Sequence, residues 1–463
     1  MPQPCSVRTA ATSCGRCVHT TGWSGLIPGI QRSCYDRRGR WRVNITLVST
    51  FDLNGGAAQA AHRLHRALRG RGIASQMLVN RRDSDDPDVV RVVPTSAEDT
   101  AMWAARYAAI RAEEDVYPVL KAHRFSPFHG ERAPSAAQWL DRLQTADVIN
   151  LHWVRGFVDW EAFFPSQPAI RPVVWTLHDL NPFTGGCHYA GGCTGFIDSC
   201  GRCPVLDSDA GDDLSAQVLH RKRAVLARSQ MPLHIVAPSR WIAKEAQRSS
   251  LFATQPLEVI PNSLDLDRFR PFDREAARAE LGLPPGSIIM LFVAHLLDDR
   301  RKGLHRLAAA LRLLGPVPGL EVVAVGMGTP AFDAPVPLTV RPFQASGACI
   351  AHLYAAADLV VVPSDQDNLP NTVLEALACG RPVVAFPVGG VPDMICDGET
   401  GLLAHGFSDA DLSEALVRAL QARPRWPALG EAGRRQVERE NAPEVQARRY
   451  IALFERVIRD AAG

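Results

Sequence analysis

The stretch 358–401 limits what this chain can become more than any other, because buried-strand runs, a polar loop, a short helix and a glycine turn follow one another there. Asp358 opens the apolar run 359–362, which is short and β-branched enough to be a strand covered on both faces. The loop 363–369 carries Ser364, Asp365, Gln366, Asp367 and Asn368. Pro370 stands where a first helical residue should, since its missing N–H costs nothing there. The pattern predicts a helix over 371–379 that stops at Gly380. A second buried strand, 382–386, runs into Val388, Gly389 and Gly390. In a parallel sheet these elements bring Asp367, the helix N-terminus and the glycine turn to the carboxyl ends of the strands. Open α/β sheets bind their ligands at that edge.

Such an edge suits an anionic, hydroxyl-rich ligand. Free N–H groups at a helix N-terminus and in a glycine turn attract phosphate. Carboxylates such as Asp367 and Glu375 accept hydrogen bonds from sugar hydroxyls. Each also has a plainer reading: the helix dipole favours an acid at Glu375 in any case, and Asp367 can be a solvated loop acid.

The stretch resembles the donor-site signature of retaining glycosyltransferases of family 4, which have the GT-B fold. Asp367 and Glu375, with seven residues between them, stand where that signature has two glutamates. Cys379-Gly380-Arg381-Pro382-Val383-Val384 and Gly389-Gly390-Val391-Pro392 match its following strand and turn. Asp367 is a shorter acid than the usual one, and Asn368-Leu369-Pro370 replaces the usual Gly-Phe-Gly. This variant resembles a branch associated with exopolysaccharide synthesis of the colanic-acid type. The resemblance implies an α/β chain of two Rossmann-like parallel-sheet domains facing across a cleft. It implies transfer of a sugar, with retention, from a nucleotide donor such as a UDP- or GDP-sugar to a glycan or lipid-linked acceptor. It further implies that Glu375 holds the ribose, that Asp367, Asn368 and Leu369 hold the donor sugar, and that Asn371 and Thr372 present the helix N-terminus. No catalytic metal is implied.

The global numbers agree with this class. A length of 463 residues leaves room for two or three core-bearing domains. A formal charge of +2 argues against a dedicated nucleic-acid binder. No run of about 18 apolar residues is present, so no membrane span is expected. The expected site of action is the cytoplasm, with peripheral contact at the inner face of the cell membrane left open.

Residues 1–42 are expected to be a disordered extension, or the product of a start codon assigned too far upstream. They hold Cys5, Cys14, Cys17 and Cys34 without apolar period, and the Cys14/Cys17 pair has no second ligand pair nearby. The first domain is expected over 43–262. A strand from Val43 leads through Gly55 and Gly56 into a helix over 57–69, a nucleotide-type opening without the full dinucleotide fingerprint. By resemblance that glycine loop faces the donor diphosphate. The helix is basic at Arg63, His65, Arg66, Arg69 and Arg71, which reads as a solvated face or as a contact for an anionic lipid or acceptor. A helix over 97–122 is expected to turn Trp103, Tyr107 and Tyr117 to the core or the cleft.

Two strands then end in histidines, 147–153 in His152 and 172–179 in His178. The resemblance places His152 against the donor sugar as a catalytic residue beside Asp367, and His178 on the acceptor side. Cys187, Cys193, Cys200 and Cys203 follow within one glycine-rich loop, a set that suits a structural zinc clip, a pair of disulfides or separate thiols. A basic helix spans 215–230, and 234–239 reads as the last strand of this half. The second domain, 263–442, starts with an apolar strand and a loop ending in Lys302. Lys302 matches the family's phosphate-binding lysine; the family's arginine falls on His295, so Arg300 or Arg301 is its expected substitute. Residues 338–343 are expected at the nucleotide base, and a last helix over 443–463 crosses back to the first domain. Two other classes stay open: a GT-B sugar-nucleotide epimerase or hydrolase, and a non-catalytic sugar-nucleotide or glycan scaffold.

Overall fold

Two parallel sheets carry the chain. The first has strands β1 (Asn44–Phe51), β2 (Ala74–Arg81), β3 (Val89–Arg91), β4 (Val148–Leu151), β5 (Val173–Thr176), β6 (Leu233–Ala237) and β7 (Leu257–Val259), in the order β3-β2-β1-β4-β5-β6-β7. The second has β8 (Ile288–Leu296), β9 (Leu320–Met327), β10 (Leu338–Arg341), β11 (Leu359–Val362), β12 (Val383–Ala385) and β13 (Gly401–Leu403), in the order β10-β9-β8-β11-β12-β13. The computed structural model describes residues 43–462 apart from 93, 95, 123–126, 135–136 and 343–346. The extension with Cys14 and Cys17, and Phe343, lie outside them.

The inner strands are largely apolar and buried because helices cover both faces of each sheet. Leu359, Val360, Val361 and Val362 are all buried, as are Val173, Val174, Trp175 and Thr176. Each sheet reverses its strand order once, between β1 and β4 in the first and between β8 and β11 in the second. Those reversals open crevices at the carboxyl ends of the strands, and every candidate catalytic or donor-binding position up to Asp367 follows one of these four strands.

Several sequence expectations need correction. The strand ending near Ser239 is not the last of its sheet: Leu257–Val259 adds an edge strand. Helix Asn371–Ala378 starts one residue after Pro370, which is its N-cap. Helix Ala97–Glu114 buries only Glu114 among its residues, so Trp103 and Tyr107 do not enter the core; they stack on each other 5.2 Å apart, with Tyr107 exposed. The basic helix expected over 215–230 is Leu214–Arg228, and its Lys222 faces inward. It is buried and donates to the carbonyls of Asn181 (2.6 Å) and Thr184 (3.0 Å), and burial pushes its ammonium down to about 8.

The helix Pro443–Ala462 packs on the first sheet. Tyr450, Leu453, Phe454 and Val457 join Val43, Ile45 and Leu64 in one buried cluster. The Tyr450 hydroxyl meets Thr176 Oγ1 at 2.9 Å, which satisfies two polar groups inside that core. Among the described residues no helix is long and apolar enough to cross a membrane.

Candidate active site

The two crevices face each other, and side chains from both lobes meet between them. Helix Gly56–Gly70 begins at Gly55, whose φ of 91° only glycine adopts readily, and no side chain caps it. Helix Asn371–Ala378 likewise has no side-chain cap. The two N-termini are close: a Cβ placed on Gly56 would lie 3.1 Å from Asn371 Nδ2. Two sets of unpaired backbone N–H groups thus converge on one space, with the positive ends of both helices.

Cations surround that space. Lys302 Nζ donates to Asp367 Oδ2 at 2.6 Å, and Arg301 Nη1 lies 3.7 Å from the same oxygen. Arg301 also donates to the Gln366 carbonyl (2.9 Å) and lies over the Tyr189 ring at 4.6 Å. Arg301, not the exposed Arg300, is therefore the arginine at the site. Burial alone would raise the Asp367 carboxyl, but Lys302 and Arg301 outweigh it and hold it below its usual range. Asp367 is a buried anion clamped by two cations.

Arg63, which reads as part of a solvated face or as a contact for an anionic lipid or acceptor, instead faces the other lobe's helix N-terminus, a placement the sequence reading did not give. Its Nη2 donates to Asn371 Oδ1 at 3.2 Å, its Nε is buried without a partner, and burial lowers it to about 10. The missed signal lies in helical spacing: Arg63 falls seven residues after Gly56, two turns down the same face. Glu375 is half-buried and accepts from the Tyr354 hydroxyl at 2.7 Å. Burial raises its carboxyl, against the lowering pull of Tyr354, Arg63 and Arg268.

Asn368 is committed elsewhere than the sequence reading places it. Its Oδ1 accepts from Ser239 Oγ (2.7 Å), and its Nδ2 donates to the carbonyls of His178 (3.1 Å) and Leu177 (3.3 Å). Its side chain ties the second lobe to the first. Leu369 is buried and Thr372 half-buried. Gly389, with φ 54°, packs against the loop it follows: a Cβ there would lie 1.6 Å from the Asp367 carbonyl. The Gly390 N–H donates to that carbonyl at 3.3 Å, so it is not available to a phosphate.

The two histidines form a chain. Asn150 uses its Nδ2 on Val174 O and Thr176 Oγ1, both at 3.1 Å, so its Oδ1 must accept. It accepts from His152 Nε2 at 3.0 Å. A neutral His152 then offers only Nδ1, which accepts from His178 Nε2 at 3.0 Å. His152 has both nitrogens occupied, whereas His178 keeps Nδ1. The ring next to the open side is therefore His178, and His152 orients it from behind through the Nδ1–Nε2 bond. Burial holds His152 well below its usual range and His178 at about 4, so both stay neutral at pH 7.

Both rings line a pocket with Trp153, Arg155, Trp160, Asp179 and Asn181. Arg155 makes no ion pair there among the described residues and lies 5.8 Å from the Trp153 ring centroid. Asp179 accepts from Trp153 Nε1 (2.8 Å) and His188 Nδ1 (2.7 Å), and His188 Nε2 meets His129 Nδ1 at 2.8 Å. Burial depresses His129 as well.

These histidines make a testable pH effect. A histidine whose folded pKa is depressed binds no proton in the folded state while the unfolded chain does, so stability is full above about pH 6.5 and falls toward pH 4. The melting temperature is expected to drop across that window. In a His129→Gln/His152→Gln double variant the drop should be shallower; an unchanged slope would remove these rings as its cause.

The cysteine loop reaches the donor side. Gly191 N donates to Gln366 Oε1 at 3.2 Å, and Tyr189 lies under Arg301. Cys187, Cys193, Cys200 and Cys203 are free thiols, with burial pushing Cys187 up to about 12 and Cys200 up to about 11. The four lie near enough to one another for each thiol to disfavour its neighbours' ionisation. Among the described residues, the group of three candidate ligands within 4.8 Å of one another is His65, Asp86 and Asp88.

Comparison with known proteins agrees with this architecture. A family model described as Glycosyltransferase Family 4 matches residues 54–268, and one described as Glycosyl transferases group 1 matches residues 287–422. A D-inositol 3-phosphate glycosyltransferase from Actinosynnema mirum is 39% identical over 312 residues, covering 62% of this chain and 66% of the relative. One from Nocardia farcinica is 39% identical over 302 residues, covering 61% of each chain. The chain thus spans about two-thirds or less of the length of these relatives. Sucrose-phosphate synthase from Thermosynechococcus elongatus superposes with a TM-score of 0.61 at 21% identity, over 90% of this chain and 99% of that one. Anabaena Alr3699/HepE, solved in complex with UDP-glucose, gives 0.60 at 16% identity, over 90% and 100%. At such identity the likeness is one of fold. Residues 54–268 and 287–422 are a family 4 glycosyltransferase domain and a group 1 glycosyltransferase domain, the two lobes of a GT-B chain.

Proposed function

We propose that this chain transfers a sugar from a nucleoside diphosphate sugar to a hydroxyl acceptor. The observation that carries the reading is the meeting of two uncapped helix N-termini with Lys302, Arg301 and Arg63 in one cleft. Departure of a nucleoside diphosphate builds negative charge, and preorganised cations and N–H groups offset it most strongly. On this reading the leaving group needs no metal, as the family resemblance implies. Glu375, near Arg63 and with one oxygen beyond its Tyr354 bond, serves as the acceptor for ribose hydroxyls. UDP is the favoured nucleotide, since a GT-B neighbour was solved with UDP-glucose.

Retention fits the absence of a poised enzymic base on this reading. Asp367 is bound by Lys302, His152 has no free nitrogen, and His178, whose Nδ1 is free, is held at about 4 by burial and is a weak base. The diphosphate itself then takes the acceptor proton. The pocket of His178, Trp153, Asp179 and Arg155 takes the acceptor. Its polar lining suits a polyol, and Arg155 suits an anionic group on it. The curated relatives are named for inositol phosphate, which favours a small phosphorylated polyol over the exopolysaccharide acceptor suggested by the loop variant.

Thermal-shift binding against UDP-, GDP- and ADP-sugars tests the donor half. Wild type is expected to gain several degrees with one nucleotide class, and Glu375→Ala to lose that gain. No shift with any donor would sink the proposal and leave a binding scaffold of another kind.

A further inference from the structure

A second polar cluster lies down the helix Gly56–Gly70, away from its N-terminus. His62 and His65 are three residues apart and so share a face of that helix. Opposite them, the connection between β2 and β3 presents Asp86 and Asp88. Asp86 Oδ2 lies 3.4 Å from His62 Nε2 and 3.8 Å from His65 Nε2. The ligand atoms of His65, Asp86 and Asp88 all lie within 4.8 Å of one another.

The hydrogen-bond accounting is incomplete without a further group. His65 is fully buried, and its Nδ1 is paired with Ser75 Oγ at 2.8 Å. Its Nε2 is buried without a partner, and His62 Nε2 has only the long 3.4 Å approach to Asp86. Buried polar nitrogens are rarely left so. A proton on His65 Nε2 finds no acceptor within hydrogen-bond distance, and a lone pair there finds no donor. A cation between the two rings and the carboxylates would satisfy all of them.

We propose that His62 Nε2, His65 Nε2, Asp86 Oδ2 and an Asp88 carboxylate oxygen bind one divalent transition-metal ion, with zinc the best match. Two imidazoles with carboxylates are a common zinc donor set. Ligands about 2.0–2.1 Å from a tetrahedral ion sit roughly 3.3–3.4 Å apart. The 3.4 and 3.8 Å separations from Asp86 are near this, and the His62 ring, which lies outside the group of three, has to turn toward the other ligands. The second shell is in place. With Nδ1 donating to Ser75 Oγ, the tautomer the site requires, the Nε2 lone pair of His65 faces the ion, and Asp86 Oδ1 accepts from Asp88 N at 3.0 Å, which leaves Oδ2 for the metal. Arg69 pairs with Asp88 at 2.7 Å at the exposed edge and would share that carboxylate with the ion.

The protonation states also suit a metal. Burial holds both histidines below their usual range, His65 at about 4, so both are neutral. Despite burial, the Asp88 N–H and the two rings hold Asp86 below the carboxylate range. The ion would fasten the helix that carries Gly55, Gly56 and Arg63 to the β2–β3 edge.

The test uses the full chain, stripped with a chelator and titrated with Co²⁺ and then Zn²⁺. Wild type is expected to bind one equivalent with a cobalt spectrum that lacks thiolate charge transfer, and to gain several degrees of melting temperature with Zn²⁺. Asp86→Asn should weaken that equivalent at least about tenfold. His62→Gln, at a partly exposed ring that leaves the Ser75 bond intact, should do the same without unfolding the chain. Binding that is absent, that shows only thiolate bands from the cysteine loop, or that persists unchanged in both variants overturns the site.

Discussion

Lys302→Ala is expected to lower kcat with the preferred nucleotide sugar by about 10²–10³-fold, the cost of removing one preorganised charge from a developing anion. Lys302 is held with little freedom. It ends the turn Arg300–Lys302, which Asp299 caps. Gly303 follows with φ 81°, and a Cβ there would lie 1.8 Å from the Pro363 carbonyl. The Asp365 N–H donates to the Arg301 carbonyl at 2.9 Å. The loops after β8 and β11 are thereby locked together, and the ammonium is fixed 2.6 Å from Asp367. Removing it also leaves a buried carboxylate with only Arg301 nearby, so some loss of stability is expected as well. A Lys302→Ala/Asp367→Asn double variant separates the two effects. It should recover the melting temperature without recovering turnover. Should Lys302→Ala keep kcat within about threefold of wild type, the diphosphate role assigned to this residue is wrong.

Much of this was legible in the sequence where local pattern and local chemistry agree. The apolar runs of β11 and β12, the glycines after β1 and β12, and Lys302 beyond β8 are all readable because each needs only its own neighbours. Whatever depends on long-range packing was not. Arg63 looks like one more cation on a basic helix until the other lobe brings Asn371 to it, 308 residues away in sequence. Asn368 looks like a sugar ligand until Ser239 and the His178 carbonyl take up its amide. That His152 has both ring nitrogens paired was out of reach too, because proton placement depends on Asn150, whose own partners lie on the next strand. The burial of Lys222 is hidden for the same reason: nothing in its helix shows that two carbonyls from the loop after β5 will reach it.

The largest stability effect is expected at Asp358, the residue before β11. Its Oδ2 accepts from Arg278 Nη2 at 2.6 Å and from the Ile289 N–H at 2.8 Å, and its Oδ1 accepts from Arg274 Nη1 at 2.7 Å. Arg278 is 2% exposed and Asp358 6%, so this charge pair is out of water. Arg278 also donates to the carbonyls of Ala356, Pro285 and Ser287, which pins β8, β11 and the helix Arg274–Leu281 to one guanidinium. Asp358→Asn keeps the shape but leaves Arg278 buried without its counter-charge, at an expected cost of about 3–5 kcal/mol. For a lobe of this size that is a fall of roughly 6–20 °C in its melting transition. Arg274 supplies the control. It pairs with the same carboxylate but is 44% exposed, so Arg274→Ala should cost less than about 1 kcal/mol. Calorimetry on the two variants decides the matter: equal, small effects would mean that the buried pair contributes no more than a surface one, and that the second lobe is held by its apolar core alone.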